Sequence, residues 1–254
     1  MIRSYGSMPP TARKSVIFAE AIGLHPDLVD WWTIAPDFVA LAGGDVDSVI
    51  SRKRDGNQYA GHPLAKVVSG PEYHDGQING RAAGKFVSSG YDRLEALGIL
   101  PAGSFSISVV YDAPSTSTIK ILTGSQNGNG RFAAYLNQVG GNDYVTATAG
   151  TAGSAALVTR PRALGRSRLI VSWDEVTHEL ALMQNDGVWW TAANPSAEVT
   201  QTGFALGAYA GLAGTFDGFV ADVTLWSVAL HQPPNAATLD LVRRYTGKIF
   251  GTGA

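Results

Sequence analysis

The chain has 254 residues, a formal net charge of −2, 16% charged residues and no cysteine. A chain of this length buries a large core as one all-β domain without covalent staples. The missing cysteines exclude disulfides, thiol chemistry and Cys-ligated metal centres. The lack of excess positive charge argues against a nucleic-acid partner. No stretch reaches the roughly 18 apolar residues of a membrane span, so membrane insertion is not expected. The opening MIRSYGSMPPTARKSVIFAEAIG lacks the continuous apolar run of a signal peptide, and synthesis in a cytoplasm is expected.

Residues 1–24 read as an irregular leader containing Pro9 and Pro10, with a docking role expected for a segment too polar to build its own core. Thr11 is a candidate cap for a short helix through Ile17, Phe18 and Ile22 that stops near Gly23. Residues 25–254 read as one unit without an internal linker. HPDLVDWWTIAPDF opens it, and a buried role is expected for its Leu28, Trp31 and Trp32. Residues 43–104 are rich in Gly, Asp and Asn, with a turn signal at Asp55–Gly56 and a short strand expected at Lys85-Phe86-Val87. The basic run Arg52, Lys53, Arg54 reads as a solvated surface, with anion binding as the alternative.

From Phe105 the strand signal is clear. In FSISVVYD, Phe105, Ile107, Val109 and Tyr111 fall on one face and Ser106 and Ser108 on the other, the period of a strand with one face on a core. Further strands are expected at 119–122, 131–136, 144–148, 168–173 and 179–184. The last is followed by a tight turn at Asn185-Asp186-Gly187 that leads into Val188–Thr191. The glycine-rich GSQNGNGR lacks the Lys-Ser/Thr of a phosphate loop and reads as a hairpin loop. FDGFVADVTLWSVAL predicts a strand with Phe219, Ala221, Val223 and Leu225 on one face. A helix over 236–246 follows, capped by Asn235 and ended by Gly247. The predicted core is Phe105, Ile107, Val109, Leu169, Val171, Leu182, Val223 and Leu225. Many short strands with only terminal helices, and no βαβ rhythm, predict an all-β, two-sheet antiparallel jelly-roll sandwich.

Four stretches in matching order resemble the LamG-like, or concanavalin A-like lectin/glucanase, superfamily, in the form common in bacteriophage structural proteins. PDLVDWW is similar to its opening P-x-L-x-x-W strand, and RKRDGNQYAG to its D-x-S-G-x-G-N loop. ELALMQNDGVW is similar to its Y-V-N-G hairpin, and FDGFVADVTLWSVAL to its closing F-x-G-x-I-A-E-V-x-I-Y-x-R-A-L strand. The tail LVRRYTGKIFG resembles that subgroup's ending. The resemblance implies a concanavalin A-like fold and, for the phage-type subgroup, a virion structural or accessory protein on capsid or tail. Its partners would be other virion proteins, a second copy, or a host-surface glycan. A free carbohydrate-binding, lectin-like module is the alternative.

Candidate chemistry was weighed against that fold, which alone does not fix function. Glycosidases of the superfamily carry an E-x-D-x-x-E strand, whose carboxylates must share one face about 5 Å apart. WDEVTHE places Asp174, Glu175 and Glu179 around a turn instead. Asp217 and Asp222 are five residues apart, and Glu72 and Asp75 are in a loop, so no enzymatic activity is expected. The histidines make no metal-binding pair, and His74 beside Asp75 reads as a loop hydrogen-bond pair. No cofactor is expected. The resemblance leaves calcium open, with Asp143, Asp186 and Asp217 as loop candidates. Trp189, Trp190, Tyr144 and Tyr209 are the candidates for stacking on a sugar ring or a partner. Adjacent strand residues point to opposite faces, so Trp189 and Trp190 cannot share one core.

Overall fold

The structure is a computed structural model that describes residues 19–56, 58–211 and 215–252. Strands dominate it, every strand pairing is antiparallel, and two layers enclose an apolar core. The first layer is built around Phe105–Ala113, flanked by Gly165–Asp174 on one side and Gly218–Trp226 on the other. It continues outward through Glu179–Gln184 to Trp190–Ala193. On its other flank lie Leu28–Thr33 and Arg81–Phe86, both paired with Gly218–Trp226, and then Glu72–Ile78.

The second layer runs from Val39–Ala42 through Asp45–Val49, Leu64–Lys66, Leu94–Ala96 and Phe204–Leu206 to Lys120–Gly124. It ends with Arg131–Val139, Asn142–Gly150 and Ala156–Pro161. The layers join at one corner, where Asp45 pairs with Glu72 and Trp32 bridges to Ser51.

All eight predicted core residues lie in the cluster between the layers. Strands of alternating apolar residues produce this, because period-two side chains of two facing sheets interdigitate. The predicted strand at 179–184 matches the observed bounds, and those at 131–136 and 144–148 lie inside longer strands. The predicted face of the closing strand is corrected by a bulge. Val110 pairs with Asp222 and Tyr111 with Val220, so one residue of Gly218–Trp226 is left over. A bulge resets the alternation. Val220, Val223 and Leu225 therefore enter the core between the layers, while Ala221 and Phe219 turn to the other side.

That other side is a second core. The helix Ala236–Phe250 lies across the outer face of the first layer. Its buried Thr238, Val242, Tyr245, Thr246 and Phe250 recur at the three-to-four residue spacing of one helical face. They meet Trp31, Val110, Ile170, Met183 and Trp226, together with Ile22 from a helical turn at 19–23. The rest of the predicted N-terminal helix, including Thr11, Ile17 and Phe18, lies outside the described residues, as does most of the leader. The C-terminal helix passes through Gly247 and ends instead at Gly251, whose φ of 64° is the left-handed C-terminal stop. Asn235 does not cap it by side chain; its amide donates to the Ala229 carbonyl.

Two cores on one sheet explain the paired tryptophans near the start. Trp31 faces the helix and Trp32 faces the second layer, and each is 1% exposed.

Candidate functional site

Among the described residues no helix lies on the outer face of the second layer. Along Arg131–Val139, Phe132, Ala134 and Leu136 enter the core, so Arg131, Ala133, Tyr135 and Asn137 point the other way. On the neighbouring strand Val145, Ala147 and Ala149 face inward, which turns Tyr144, Thr146 and Thr148 outward. Tyr135 pairs with Thr146, and Asn137 with Tyr144. Thr159 and Leu157 extend the face to the edge strand and are exposed.

Tyr209 comes onto this face from the loop after Phe204–Leu206. The Ala210 amide donates to the Ser125 carbonyl, and the Gly211 amide donates to Glu95 Oε1. These bonds lay the loop across Lys120–Gly124. A Cβ on Gly124 would stand 3.0 Å from Tyr209 Cδ1, so the phenol ring rests where a side chain would otherwise be. The Arg131 guanidinium lies 5.6 Å from the centre of the Tyr209 ring, within cation–π range. Asn127, in the glycine-rich loop, accepts from Arg131 Nη1 at 3.0 Å. Burial raises the phenol pKa of Tyr209 and, above a hydrogen bond with Thr146 that acts the other way, that of Tyr135. Both rings are therefore half-buried neutral donors, beside one cation and a floor of small residues, Gly124, Ala133 and Ala205.

The four aromatic candidates divide. Tyr144 and Tyr209 share this open face. Trp189 and Trp190 are elsewhere. Trp189 is half-buried against the helix-side core, with its ring edge-on to His231 at 5.9 Å. Trp190 packs on the core between the layers, with the Arg160 guanidinium 5.6 Å from its ring centre. Their opposite orientations follow the expected alternation, and each finds its own core. Arg131 and Tyr135 were missed by sequence reading. The signal was present in RFAAYLNQ, where they alternate with the core residues.

The carboxylates are engaged one by one. Asp174 accepts from Ser104 Oγ, the Val176 amide and Thr177 Oγ1, bonds that outweigh burial and lower its pKa. Glu175 accepts from Trp173 Nε1 at 2.7 Å. Glu179 lies 3.8 Å from His231 Nε2, while His231 Nδ1 and Ser172 Oγ are 2.7 Å apart. Ser172 is fully buried, so this Ser–His–Glu arrangement has no exposed nucleophile. His74 pairs with Glu72 at 3.0 Å.

The calcium candidates sit in three separate ion pairs. Asp143 meets Arg162 at 3.3 Å, Asp186 meets Arg168 and Arg243, and Asp217 meets Lys120 at 2.6 Å. Among the described residues no three His, Cys, Asp or Glu side chains gather as metal ligands.

No family model matches the sequence, and no curated protein matches it. Solved structures do match by fold. An arabinofuranosidase complexed with arabinofuranosyl-alpha-1,2-xylobiose aligns with 85% of this chain and 59% of its own, at 12% identity and a TM-score of 0.55. Tailspike protein 2 of an Escherichia coli O157:H7 bacteriophage aligns with 72% of this chain at 12% identity and a TM-score of 0.53, through 27% of its own length. The sialidase NanB aligns with 61% of this chain and 27% of its own, at 15% identity and a TM-score of 0.48. The chain thus spans less than two thirds of each of these proteins, 59% of the first and 27% of the other two. The likeness is one of fold, a β-sandwich of jelly-roll type.

Proposed function

We propose that the chain is a non-catalytic recognition module that binds glycan on the open face of the second layer, as a surface component of a bacteriophage particle on capsid or tail. The observation that carries the glycan part is the cluster of Arg131, Tyr135 and Tyr209 above small residues, on a sheet face that the C-terminal helix leaves open. A sugar ring offers apolar C–H faces to an aromatic ring and hydroxyls to nearby donors, and half-buried phenols supply both. Tyr144, Asn137 and Thr159 extend the donors along the face.

The particle role is supported by the resemblance of the sequence stretches to phage structural proteins and by the fold shared with a segment of a phage tailspike. The non-catalytic reading is supported by the engagement of Asp174, Glu175 and Glu179 with their own neighbours. Binding of the purified chain to a glycan array, lost in Tyr209→Ala and Arg131→Ala while circular dichroism is unchanged, is the expected result. Equal binding by wild type and both variants would remove the open face as the site. Mass spectrometry of purified particles from the source tests the particle role separately.

A further inference from the structure

On the opposite side of the molecule, where the helix Ala236–Phe250 meets the loop after Leu28–Thr33, lies a cavity of about 390 Å³. Its wall is mixed: Ile34, Phe38, Ile249 and Phe250 give it an apolar side, and Thr33, Arg52 and Tyr245 a polar one. Arg52 reaches into it, held on several sides. The Arg52 guanidinium carbon lies 3.7 Å from the centre of the Trp31 ring and 4.7 Å from that of Phe38. Its Nη1 donates to Thr33 Oγ1 at 2.9 Å, and that hydroxyl donates onward to Asp222 Oδ1 at 2.6 Å. Trp31 Nε1 donates to the same oxygen at 2.9 Å. Rings and hydroxyl thus set both the plane and the rotation of the guanidinium.

A guanidinium has five N–H donors. Among the described residues the Arg52 side chain hydrogen-bonds Thr33 and also meets the Tyr245 hydroxyl, and it forms no ion pair with a carboxylate, so part of its donor set is left over. Its charge is balanced only at one remove, through Thr33. We propose that this cavity binds a small organic carboxylate with an apolar body. The carboxylate pairs with the free edge of Arg52, and the body lies against Ile34, Phe38 and Ile249. The fork of a guanidinium matches a carboxylate in two parallel hydrogen bonds, which selects a planar anion over a neutral polar group. A pocket of this size, with an apolar side and a few fixed polar groups, is of the kind that holds small molecules. At the rim stand Arg81, Asp37 and Asp75, all exposed. The two carboxylates would receive the ammonium of an amino acid, so a simple acid and an amino acid are two sources of the same recognised group.

The test is calorimetric titration of the full chain with phenylacetate, L-phenylalanine and 2-phenylethanol. Saturable binding of at least one of the two acids is expected, with none for the alcohol. A preference for phenylalanine assigns the rim carboxylates a part, and a preference for phenylacetate leaves them out. Arg52→Gln should weaken binding by about tenfold or more, the usual loss when a charge-assisted hydrogen bond is removed. Should Arg52→Gln unfold the protein, Ile249→Trp fills the cavity from the helix with Arg52 intact and must abolish binding. The proposal is overturned if neither acid saturates at millimolar concentration, if the alcohol binds as well as phenylacetate, or if binding survives the variant that folds.

Discussion

The two outer faces of this sandwich differ in what covers them. The first layer buries Trp31, Ile170, Ala221 and Trp226 under a helix, so apolar residues occupy both of its sides. The second layer offers Tyr135, Asn137, Tyr144 and Thr159 where the first has that core. The two layers thus divide the work between them. A sheet with two covered faces holds rings at fixed positions, and a sheet with one covered face can offer rings to a ligand. The largest predicted effect follows directly. Trp226→Ala on the covered face should cost about 3–5 kcal/mol in chemical denaturation, the usual loss for a large buried ring. Tyr135→Ala on the open face should cost about 1 kcal/mol or less. Equal losses would mean that something covers the second layer as well.

The covered face is also fastened by a charge. The Arg168 side chain is fully buried and donates to Thr246 Oγ1 at 2.7 Å and to the Arg243 carbonyl at 3.2 Å, both on the helix. It also pairs with Asp186 and donates to the Asn185 carbonyl in the tight turn. Arg168→Ala should destabilise by about 3 kcal/mol, the low end for breaking a buried pair, since Asp186 keeps Arg243. Hydrogen exchange should then show the helix amides losing protection before those of the second layer. Uniform loss across both layers would show that helix and sandwich unfold as one unit.

Asp222, beneath the same helix, gives the covered face a dependence on pH. Burial pushes its carboxyl up to about 6, against hydrogen bonds from Thr33 and Trp31 that act in the other direction. A group whose folded pKa is raised stabilises most when protonated. Its contribution is full below about pH 4 and is lost as pH rises through about 6. The two-unit shift corresponds to an effect on the order of 2–3 kcal/mol. His231, lowered by burial, acts with the opposite sign in the same window, so the test is a difference: the melting temperature at pH 5 relative to that at pH 7 should be higher in wild type than in Asp222→Asn. Asp174, Asp186 and Asp217, held low by their hydrogen bonds, act with opposite sign only at lower pH. A parallel pH profile in the variant would show that Asp222 is not the group responsible.

How much of this was legible in the sequence differs between the faces. Alternation in FSISVVYD and RLIVSW fixed the strands and the core between the layers, because period two survives wherever a sheet packs on a sheet. The second core was not legible as such. Trp31 and Trp32 were both expected to be buried, but that they enter two different cores shows only when a helix far along the chain covers the other side. The bulge at Val220–Asp222 was hidden for a similar reason, since it depends on the partner strand and not on local pattern. The open face was half legible. Tyr144 and Tyr209 were singled out, but their meeting with Arg131 and Tyr135 depends on a loop crossing that no local signal encodes.

The smallest structural change predicted here tests the open face most sharply. Gly124 lies beneath the Tyr209 ring, and an added Cβ would be 3.0 Å from Tyr209 Cδ1, 3.3 Å from the Phe132 carbonyl oxygen and 3.4 Å from that of Ala208. The Phe132 carbonyl accepts from the Ser125 amide in paired backbone and holds its place, so the ring and the loop that carries it are what yield. Gly124 has an ordinary negative φ, since it is not among the residues of positive φ, and an alanine there meets no backbone strain. Gly124→Ala should therefore change stability by about 1 kcal/mol or less. It should nevertheless lift Tyr209 from its seat and shift it against Arg131. If the ring is a sugar platform, glycan binding falls in Gly124→Ala almost as far as in Tyr209→Ala, because a stacking surface works only at its set height and tilt. Binding in Gly124→Ala equal to wild type, with loss in Tyr209→Ala, would mean that the phenol hydroxyl acts through a flexible contact. Tyr209→Phe then separates the two: it retains binding if the ring face is the contact and loses it if the hydroxyl is.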